Sequence, residues 1–170
     1  MGADLATTER DAPGGRQALA LVAFVVVSAA AGSVGNLASG EAVGARYLAL
    51  DLPTWAPPQA AFGIVWPVLY LLIAVAAWLV WREAGSLVAA RRELSLWSAQ
   101  LLVNAAWPAV FFGAELFWPA VLVIVVIDVL VAATLVAFWR TQRLAAALLI
   151  PYLGWLLYAT ALNVAVAGAN

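Results

Sequence analysis

The charged residues of this chain leave five long stretches almost free of charge. These stretches are residues 17–40, 52–81, 94–114, 116–139 and 144–170. Only Asp128 interrupts the fourth. A helix needs about 20 apolar residues to cross the hydrocarbon core of a membrane, and in lipid only helices and closed barrels satisfy every backbone hydrogen bond. Because the period-2 alternation of a barrel is absent, the sequence predicts an all-α integral membrane protein with five transmembrane helices.

The composition supports this assignment. The chain of 170 residues is 66% hydrophobic and 10% charged, whereas a soluble domain carries roughly 25% charged residues. We expect a polar, disordered tail over residues 1–16, one membrane domain over residues 17–170, and a long loop between TM1 and TM2. The predicted spans are TM1 (about 17–38), TM2 (about 58–82), TM3 (about 94–113), TM4 (about 116–139) and TM5 (about 144–167). The net charge of −1 gives no reason to expect a nucleic-acid partner.

The first apolar run also has features of a secretory signal peptide. Arg10 and Arg16 precede it, and residues 28–31 (SAAA) resemble a cleavage site. The leading segment also carries acidic residues, however, and the apolar run continues past the small residues. These two features favour a retained TM1.

The arginines are divided unequally between the two sides of a five-span topology. One side carries all of them except Arg46, namely Arg10, Arg16, Arg82, Arg91, Arg92, Arg140 and Arg143. Under the positive-inside rule this side faces the cytoplasm. We therefore expect a protein of the cell membrane with a cytoplasmic N-terminus, and with the TM1–TM2 loop and the C-terminus outside.

Tryptophans occupy two kinds of position in the predicted spans. Those near span ends fit an interfacial aromatic belt, and they are Trp78, Trp81, Trp97, Trp118 and Trp139. Trp66, Trp107 and Trp155 lie inside their spans, where an indole N–H needs a partner. Each of the three alone is compatible with helix packing, but three at compatible depth favour a shared aromatic cavity.

Polar and aromatic residues recur at helical spacing beside these three tryptophans. The sets are Gln59, Phe62, Trp66 and Tyr70 on TM2, Gln100, Asn104, Trp107 and Phe111 on TM3, and Tyr152, Trp155, Ala159 and Asn163 on TM5. Amides are unfavourable toward lipid, although Asn104 and Asn163 could also serve to join helices. The combined pattern is typical of an apolar small-molecule pocket with a few polar groups.

Asp128 lies at the centre of TM4, where an ionisable side chain is costly and is by default a candidate functional residue. The alternative is a protonated or hydrogen-bonded carboxyl group that fixes one helix contact. No arginine or lysine lies in the interior of the spans to pair with it. We do not expect a proton-driven pump.

Small residues on TM3 predict a close helix contact. Ala105, Ala109 and Gly113 recur every four residues on a face that differs from that of Asn104. Such a row serves either packing within the chain or a homodimer seam, and we favour the seam.

The connection between TM1 and TM2 is long enough to act as a lid over the pocket. Its possible lid residues are Arg46, Trp55, Pro57 and Pro58. The prolines stiffen the return into TM2 because each fixes its own φ and restricts the residue before it.

Three blocks of the sequence resemble the translocator protein family, also called the TspO/MBR or tryptophan-rich sensory protein family. The blocks are RYLALDLPTWAPPQAAFGIVWPVLY (46–70), QLLVNAAWPAVFFGAE (100–115) and PYLGWLLYATALN (151–163). Their order and spacing match the family over most of the chain. The resemblance implies a five-helix bundle, usually homodimeric, with a pocket below the first loop that binds porphyrins such as protoporphyrin IX and isoquinoline-type drugs.

The resemblance also implies particular site residues. The implied ligand-binding residues are Tyr47, Trp66, Asn104, Trp107, Trp155 and Ala159, with Asn163 beside them. Trp66 and Trp155 match tryptophans that are associated, in some bacterial members, with light-dependent porphyrin breakdown. They are therefore the candidate catalytic residues.

Two departures from the family pattern alter these expectations. Arg46 stands where many members have an aromatic residue, so it either offers a cation to a porphyrin propionate or faces water. No arginine or lysine follows Arg143, so the cholesterol-recognition pattern of animal members, an aromatic residue followed by a basic one, is missing from the C-terminal region. We do not expect cholesterol as a partner.

Three functions remain open at this point. The first is a membrane protein that binds tetrapyrroles and other hydrophobic small molecules for sensing, scavenging or regulation. The second is a light-dependent porphyrin-degrading enzyme; the sequence contains no nucleophile–base pair, metal cluster or cofactor loop, so no cofactor is required. The third is a tetrapyrrole or lipid transporter.

The residue types absent from the chain narrow the choice of ligand. It contains no histidine and no cysteine, and its one methionine is Met1. Haem iron normally takes His, Cys, Met or Tyr as its axial ligand. We therefore expect metal-free tetrapyrrole to be preferred over haem.

Overall fold

The computed structural model describes residues 13–38 and 43–170, and every regular element within them is helical. The elements are α1 (Pro13–Ala38), α2 (Val43–Ala49), α3 (Gln59–Ala84), α4 (Arg91–Pro108), a π-helical segment (Ala109–Gly113), α5 (Phe117–Thr141) and α6 (Arg143–Ala169). Five of the helical stretches are long and apolar enough to cross a membrane. They correspond to α1, α3, α4 with the π segment, α5 and α6, which confirms the predicted five-span α-helical membrane protein.

The five long helices form a closed ring. Each helix packs mainly against two neighbours, in the order α1, α4, α5, α6, α3 and back to α1. Helices that follow each other in the chain run in opposite directions, so the ring has two ends. We call them the arginine end, where Arg82 of α3, Arg91 of α4 and Arg140 of α5 lie, and the α2 end.

The arginine end is closely packed. Ile73, Val80 and Phe138 are fully buried there together with small residues such as Ala77 and Ala145. Between helices in lipid, association depends on van der Waals packing, and small side chains allow the backbones to approach. The sequence supplies alanines at these contacts, so this end contains a continuous core.

One predicted boundary needs correction at this end. Residues 13–16 were expected in a disordered tail, but α1 begins at Pro13. Proline suits the first helical position because its missing N–H would be unsatisfied there anyway, and the Arg16 guanidinium lies 5.9 Å from the Trp81 ring centroid. Residues 1–12 lie outside the described residues.

The belt interpretation is wrong for two tryptophans. Trp97 is buried, and its indole N–H donates to the Ile73 backbone oxygen at 3.2 Å. Trp81 is also buried among the helices. Trp118 and Trp139, in contrast, are exposed on the bundle surface, as belt residues are. Nearness to a span end therefore did not determine which way a ring points.

The connection between α1 and α3 is not a plain loop, because seven of its residues form α2. Residues 39–42 of this connection lie outside the described residues. The last part of the connection is held to the bundle: the Tyr158 hydroxyl donates to the Trp55 backbone oxygen at 2.9 Å, and the Asp51 N–H donates to the Asn170 side-chain oxygen at 3.1 Å.

The predicted TM3 is not one regular helix, because α4 passes into the π segment after Pro108. The π turn closes hydrogen bonds between residues five apart, so the spacing of Ala105, Ala109 and Gly113 does not keep them on one face. Ala105 also lies against Gly35 of α1, where an added Cβ would be 3.1 Å from the Ala105 oxygen. The Ala105 backbone therefore takes part in packing within the chain, and the homodimer seam stays a prediction.

Candidate functional site

A cavity of about 1250 Å³ lies inside the ring at the α2 end. This volume slightly exceeds the usual range for small-molecule sites, about 300–1000 Å³. All five long helices contribute to its wall, and α2 and the π segment contribute near its opening. The ring interior is therefore unfilled at the α2 end, whereas the arginine end is filled.

Aromatic rings make up much of the cavity wall. Trp66 stacks on Tyr70 with ring centroids 5.5 Å apart, and Trp107 stacks on Phe111 at 4.9 Å. Trp155 meets Phe62 edge to face at 5.8 Å. Such pairs hold each other's orientation, so the cavity presents flat apolar surfaces in fixed positions.

Three buried polar atoms on this wall have no hydrogen-bond partner within the described residues. They are Nε1 of Trp107, Nε1 of Trp155 and Oδ1 of Asn163. A buried polar group without a partner costs about 1–3 kcal/mol. Because Trp107, Trp155 and Asn163 line the cavity, a molecule bound there would lie beside these unsatisfied groups, and polar groups of this kind usually orient a ligand in an apolar site.

The floor of the cavity is a chain of hydrogen bonds that connects three helices. The Tyr70 hydroxyl donates to Oδ1 of Asn104 at 2.8 Å, and Nδ2 of Asn104 donates to the Tyr152 hydroxyl at 3.0 Å. The Tyr152 hydroxyl donates in turn to Oε1 of Gln100 at 2.9 Å. Because each member is paired, this chain separates the cavity from the packed core below.

Tyr47 of α2 covers the cavity from the other side. It is buried, its ring meets Phe62 edge to face at 5.2 Å, and its hydroxyl donates to the Pro57 backbone oxygen at 2.7 Å. Burial, with a smaller contribution from the nearby Tyr158 phenol, raises the pKa of Tyr47. The neutral phenol is therefore the form that keeps this hydrogen bond.

The possible lid residues surround the cavity without lining it. Nη1 of Arg46 donates to the backbone oxygen of Phe112, so it connects α2 to the π segment. This contact shows that Arg46 does not simply face water, and its role as a cation for a porphyrin propionate stays a prediction. Trp55 is exposed and meets Tyr158 at a centroid distance of 5.8 Å, while Pro58 stands at the N-cap of α3.

The structure brings the sequence-predicted ligand residues together. The residues that line the cavity include Tyr47, Trp66, Asn104, Trp107, Trp155, Ala159 and Asn163. Gln100 and Tyr152, which the helical spacing placed on the same faces, lie beneath it in the floor. Ala109 and Gly113 do not line the cavity, and neither does Asp128.

The α1 wall of the cavity was missed by sequence reasoning. Ala29, Gly32 and Ser33 line it, but none carries the aromatic or amide signal used for the other helices. A Cβ on Gly32 would lie 2.5 Å from Cε2 of Tyr70, so this glycine lets the Tyr70 ring lie against α1. The sequence feature that could have indicated this wall is the recurrence of small residues at helical spacing.

Asp128 lies on the contact between α5 and α6. The Thr160 hydroxyl donates to its Oδ2 at 2.7 Å, whereas its Oδ1 is buried without a partner in the described part of the chain. This geometry agrees with a carboxyl group that fixes one helix contact. Within the described residues, no group of three or more His, Cys, Asp or Glu side chains could hold a metal ion.

Comparisons with known proteins agree with this arrangement. The profile of the TspO/MBR family matches residues 23–168. The translocator protein of Homo sapiens is 41% identical over 118 residues, which are 69% of this chain and 70% of that protein. Protein CrtK of Rhodobacter capsulatus is 35% identical over 143 residues, covering 84% and 88% of the two chains. The tryptophan-rich sensory protein of Cereibacter sphaeroides is 39% identical over 114 residues, covering 67% and 70%.

Proposed function

The chain belongs to the TspO/MBR family, and on that premise we propose that it binds porphyrin-like tetrapyrroles and other hydrophobic small molecules in the cavity at its α2 end. One observation carries the proposal: the unpartnered indole donors of Trp107 and Trp155 lie on the wall of an aromatic cavity of about 1250 Å³. A ligand that pairs these donors relieves their desolvation cost.

A metal-free tetrapyrrole fits the chemistry of this wall. Its flat macrocycle can stack on Trp66 and Trp107, as aromatic rings do on one another. Its ring nitrogens include both acceptors and N–H donors, and the wall offers two donors and, at Asn163, one acceptor. Its propionates would lie toward α2, which contributes Val43, Gly44 and Tyr47 to the lining.

Iron ligation is disfavoured by the same residues. Tyrosine is the one usual axial ligand type available in the chain besides Met1. Of the tyrosines on the wall, Tyr47 and Tyr70 both donate their hydroxyl protons to other groups. Burial raises the pKa of Tyr47 and so opposes the phenolate that iron would need. The proposed preference is for free-base porphyrin over haem.

The proposal extends to the setting of the protein. The integral membrane protein lies in the cell membrane with its arginine end toward the cytoplasm, forms a homodimer, and serves tetrapyrrole sensing, scavenging or regulation. Ala109 and Gly113 remain candidates for the dimer contact. Cross-linking in native membranes tests the dimer, and labelling of single cysteines placed at each end tests the orientation.

Binding of protoporphyrin IX to the purified protein in detergent tests the central proposal. The Soret band is titrated in the dark for the parent, Trp107→Phe and Trp155→Phe. Each variant keeps a ring but removes one donor, so we expect the dissociation constant to rise about fivefold, from the loss of about 1 kcal/mol per hydrogen bond. Haem, titrated in parallel, should show no axial ligation.

Trp139→Phe is the matched control, because Trp139 is exposed at the arginine end, far along α5 from the cavity. It should bind like the parent. If all three variants bind alike, the unpartnered donors do not recognise the porphyrin. If the parent itself fails to bind in the dark, the proposed function is wrong.

A second candidate function is light-dependent porphyrin breakdown with dioxygen as the oxidant. It is favoured by the presence of Trp66 and Trp155 on the same cavity wall, where both indoles would lie close to an excited macrocycle. The measurement is loss of Soret absorbance under illumination in air. Trp66→Phe with Trp155→Phe should abolish the loss while the porphyrin still binds; equal loss in the parent and the double variant would exclude a role for these rings.

A further inference from the structure

A second concave surface lies at the arginine end, on the outside of the ring between α4 and α5. Its volume is about 630 Å³, and it shares no lining residue with the large cavity. The lining residues, which we call the arginine groove, are Arg92, Ser95, Leu96, Ala132, Ala133, Val136, Ala137 and Arg140. Nothing in the proposed porphyrin function uses this surface.

Two guanidinium groups border the groove. Arg92 belongs to the first turn of α4 and Arg140 to the last turn of α5, and both are exposed. Neither has an ion pair with another described residue. Other arginines of this end are engaged with rings: Arg82 lies 4.5 Å from the Trp78 ring centroid, and Arg16 lies over Trp81. The groove therefore holds two cations from different helices that remain available to an anion.

The local backbone adds to the positive potential. No side chain caps the N-terminus of α4, where unpaired N–H groups and the helix dipole favour negative charge. The nearest acidic residue in sequence, Glu93, does not line the groove. Its Oε1 accepts a hydrogen bond from the hydroxyl of Thr141, the residue after Arg140, at 3.2 Å, and it forms no ion pair with either groove arginine.

The remainder of the groove is apolar. On α5, Ala132, Val136 and Arg140 are spaced four residues apart and so follow one face of the helix. On α4, Leu96 lies one turn from Arg92 in the direction of the bundle centre. The groove therefore changes from cationic at the membrane surface to apolar at greater depth, over a strip of small side chains.

We propose that the arginine groove binds a phospholipid with a net negative headgroup. The headgroup phosphate lies between Arg92 and Arg140, which suit phosphate oxygens because guanidinium groups bind them in a bidentate manner. One acyl chain follows Ala132, Ala133 and Val136 toward the bundle centre. Basic pockets between transmembrane helices recognise anionic lipids in this way, and the alanines leave room for the chain.

Lipid binding to the full-length protein by native mass spectrometry tests this proposal, with phosphatidylglycerol as the probe and phosphatidylcholine as the zwitterionic comparison. Arg92→Gln and Arg140→Gln should each weaken phosphatidylglycerol binding about fivefold, which corresponds to about 1 kcal/mol per basic residue. The double variant should approach the phosphatidylcholine level. Ala132→Phe, at an exposed position, should obstruct the acyl chain and weaken binding while both arginines remain.

Arg143→Gln is the matched control, because Arg143 belongs to the same end but does not line the groove. It should leave phosphatidylglycerol binding unchanged. An equal loss in Arg143→Gln, equal binding of the two lipids, or full competition by inorganic phosphate alone would each overturn the proposal. Porphyrin binding should be unchanged in Arg92→Gln and Arg140→Gln, so this result is independent of the proposed function.

Discussion

Buried tryptophans have opposite surroundings at the two ends of the bundle. At the arginine end, the Trp97 indole N–H is paired with the Ile73 backbone oxygen at 3.2 Å, and helices fill the space around the ring. At the α2 end, the indole N–H groups of Trp107 and Trp155 have no partner in the described residues, and both rings border a cavity. A buried tryptophan thus completes the packed core at the arginine end. At the α2 end, two buried tryptophans border the cavity with unpaired N–H groups.

The difference shows how a small membrane protein can combine stability with binding. Protein interiors are normally packed without large voids, and buried polar groups are normally paired. Around Trp97 both rules hold, whereas at Trp107 and Trp155 unfilled volume and unpaired N–H groups occur together. When unfilled volume and unpaired donors coincide, a binding site is a better explanation than imperfect packing.

Of the substitutions considered, one that fills the cavity should cause the largest loss of porphyrin affinity. Ala159→Trp places an indole in the space that a ligand would occupy, so we expect porphyrin affinity to fall at least about tenfold, measured by Soret titration. The bundle should still fold, because the new ring enters open volume. Ala161→Trp is the control on the same helix, since Ala161 is exposed outside the ring; equal loss in both would remove the link between cavity volume and binding.

Removing an indole N–H should change the stability of the protein differently at the two ends of the bundle. Trp97→Phe deletes a satisfied hydrogen bond in the core and should lower thermal stability in detergent by about 1 kcal/mol. Trp107→Phe deletes a donor that has no partner and should be neutral or slightly stabilising without ligand. The melting temperatures of the two variants, measured side by side, test this. If Trp107→Phe lowers the melting temperature as much as Trp97→Phe does, the N–H of Trp107 already has a hydrogen-bond partner.

A smaller effect is expected at the contact between α1 and the cavity floor. Gly32→Ala would place a methyl group against Tyr70 and displace its ring, which weakens the Tyr70–Asn104 hydrogen bond. We expect a loss of about 0.5–1 kcal/mol in stability and weaker porphyrin binding. Gly154→Ala is the matched control, because nothing lies within 4 Å of its added Cβ, Gly154 does not line the cavity, and alanine favours helix. If the two variants have the same stability and the same porphyrin affinity, the Tyr70 ring can move aside without cost.

Much of this architecture could be predicted from sequence because its signals are local. Uncharged runs marked the five spans, and helical spacing placed Trp66, Trp107 and Trp155 on faces that meet at one cavity. The partner of a side chain on another helix is not a local property. Nothing in the sequence around Trp97 indicates that its N–H reaches a backbone oxygen on α3, so the ring was assigned to the belt.

Other features were missed because their signal in the sequence is weak or absent. The α1 wall is formed where side chains are small, as at Gly32, and a lack of bulk gives a weak signal. The π segment changes the register after Pro108, so a pattern of every fourth residue misjudged the row that begins at Ala105. Arg46 binds the Phe112 backbone oxygen, an acceptor that every residue carries and that no motif can reveal.

The order of helices around the ring bears on how the protein is made. Because α1 packs between α3 and α4, and α6 closes the ring against α3, the cavity gains its last wall only after α6 has followed α1 to α5 into the membrane. Wall residues as far apart in the chain as Gly32 and Trp155 meet only when these five helices have assembled. Ligand capture would therefore require the assembled bundle, and a bound ligand would hold α1 and α6 in the same ring.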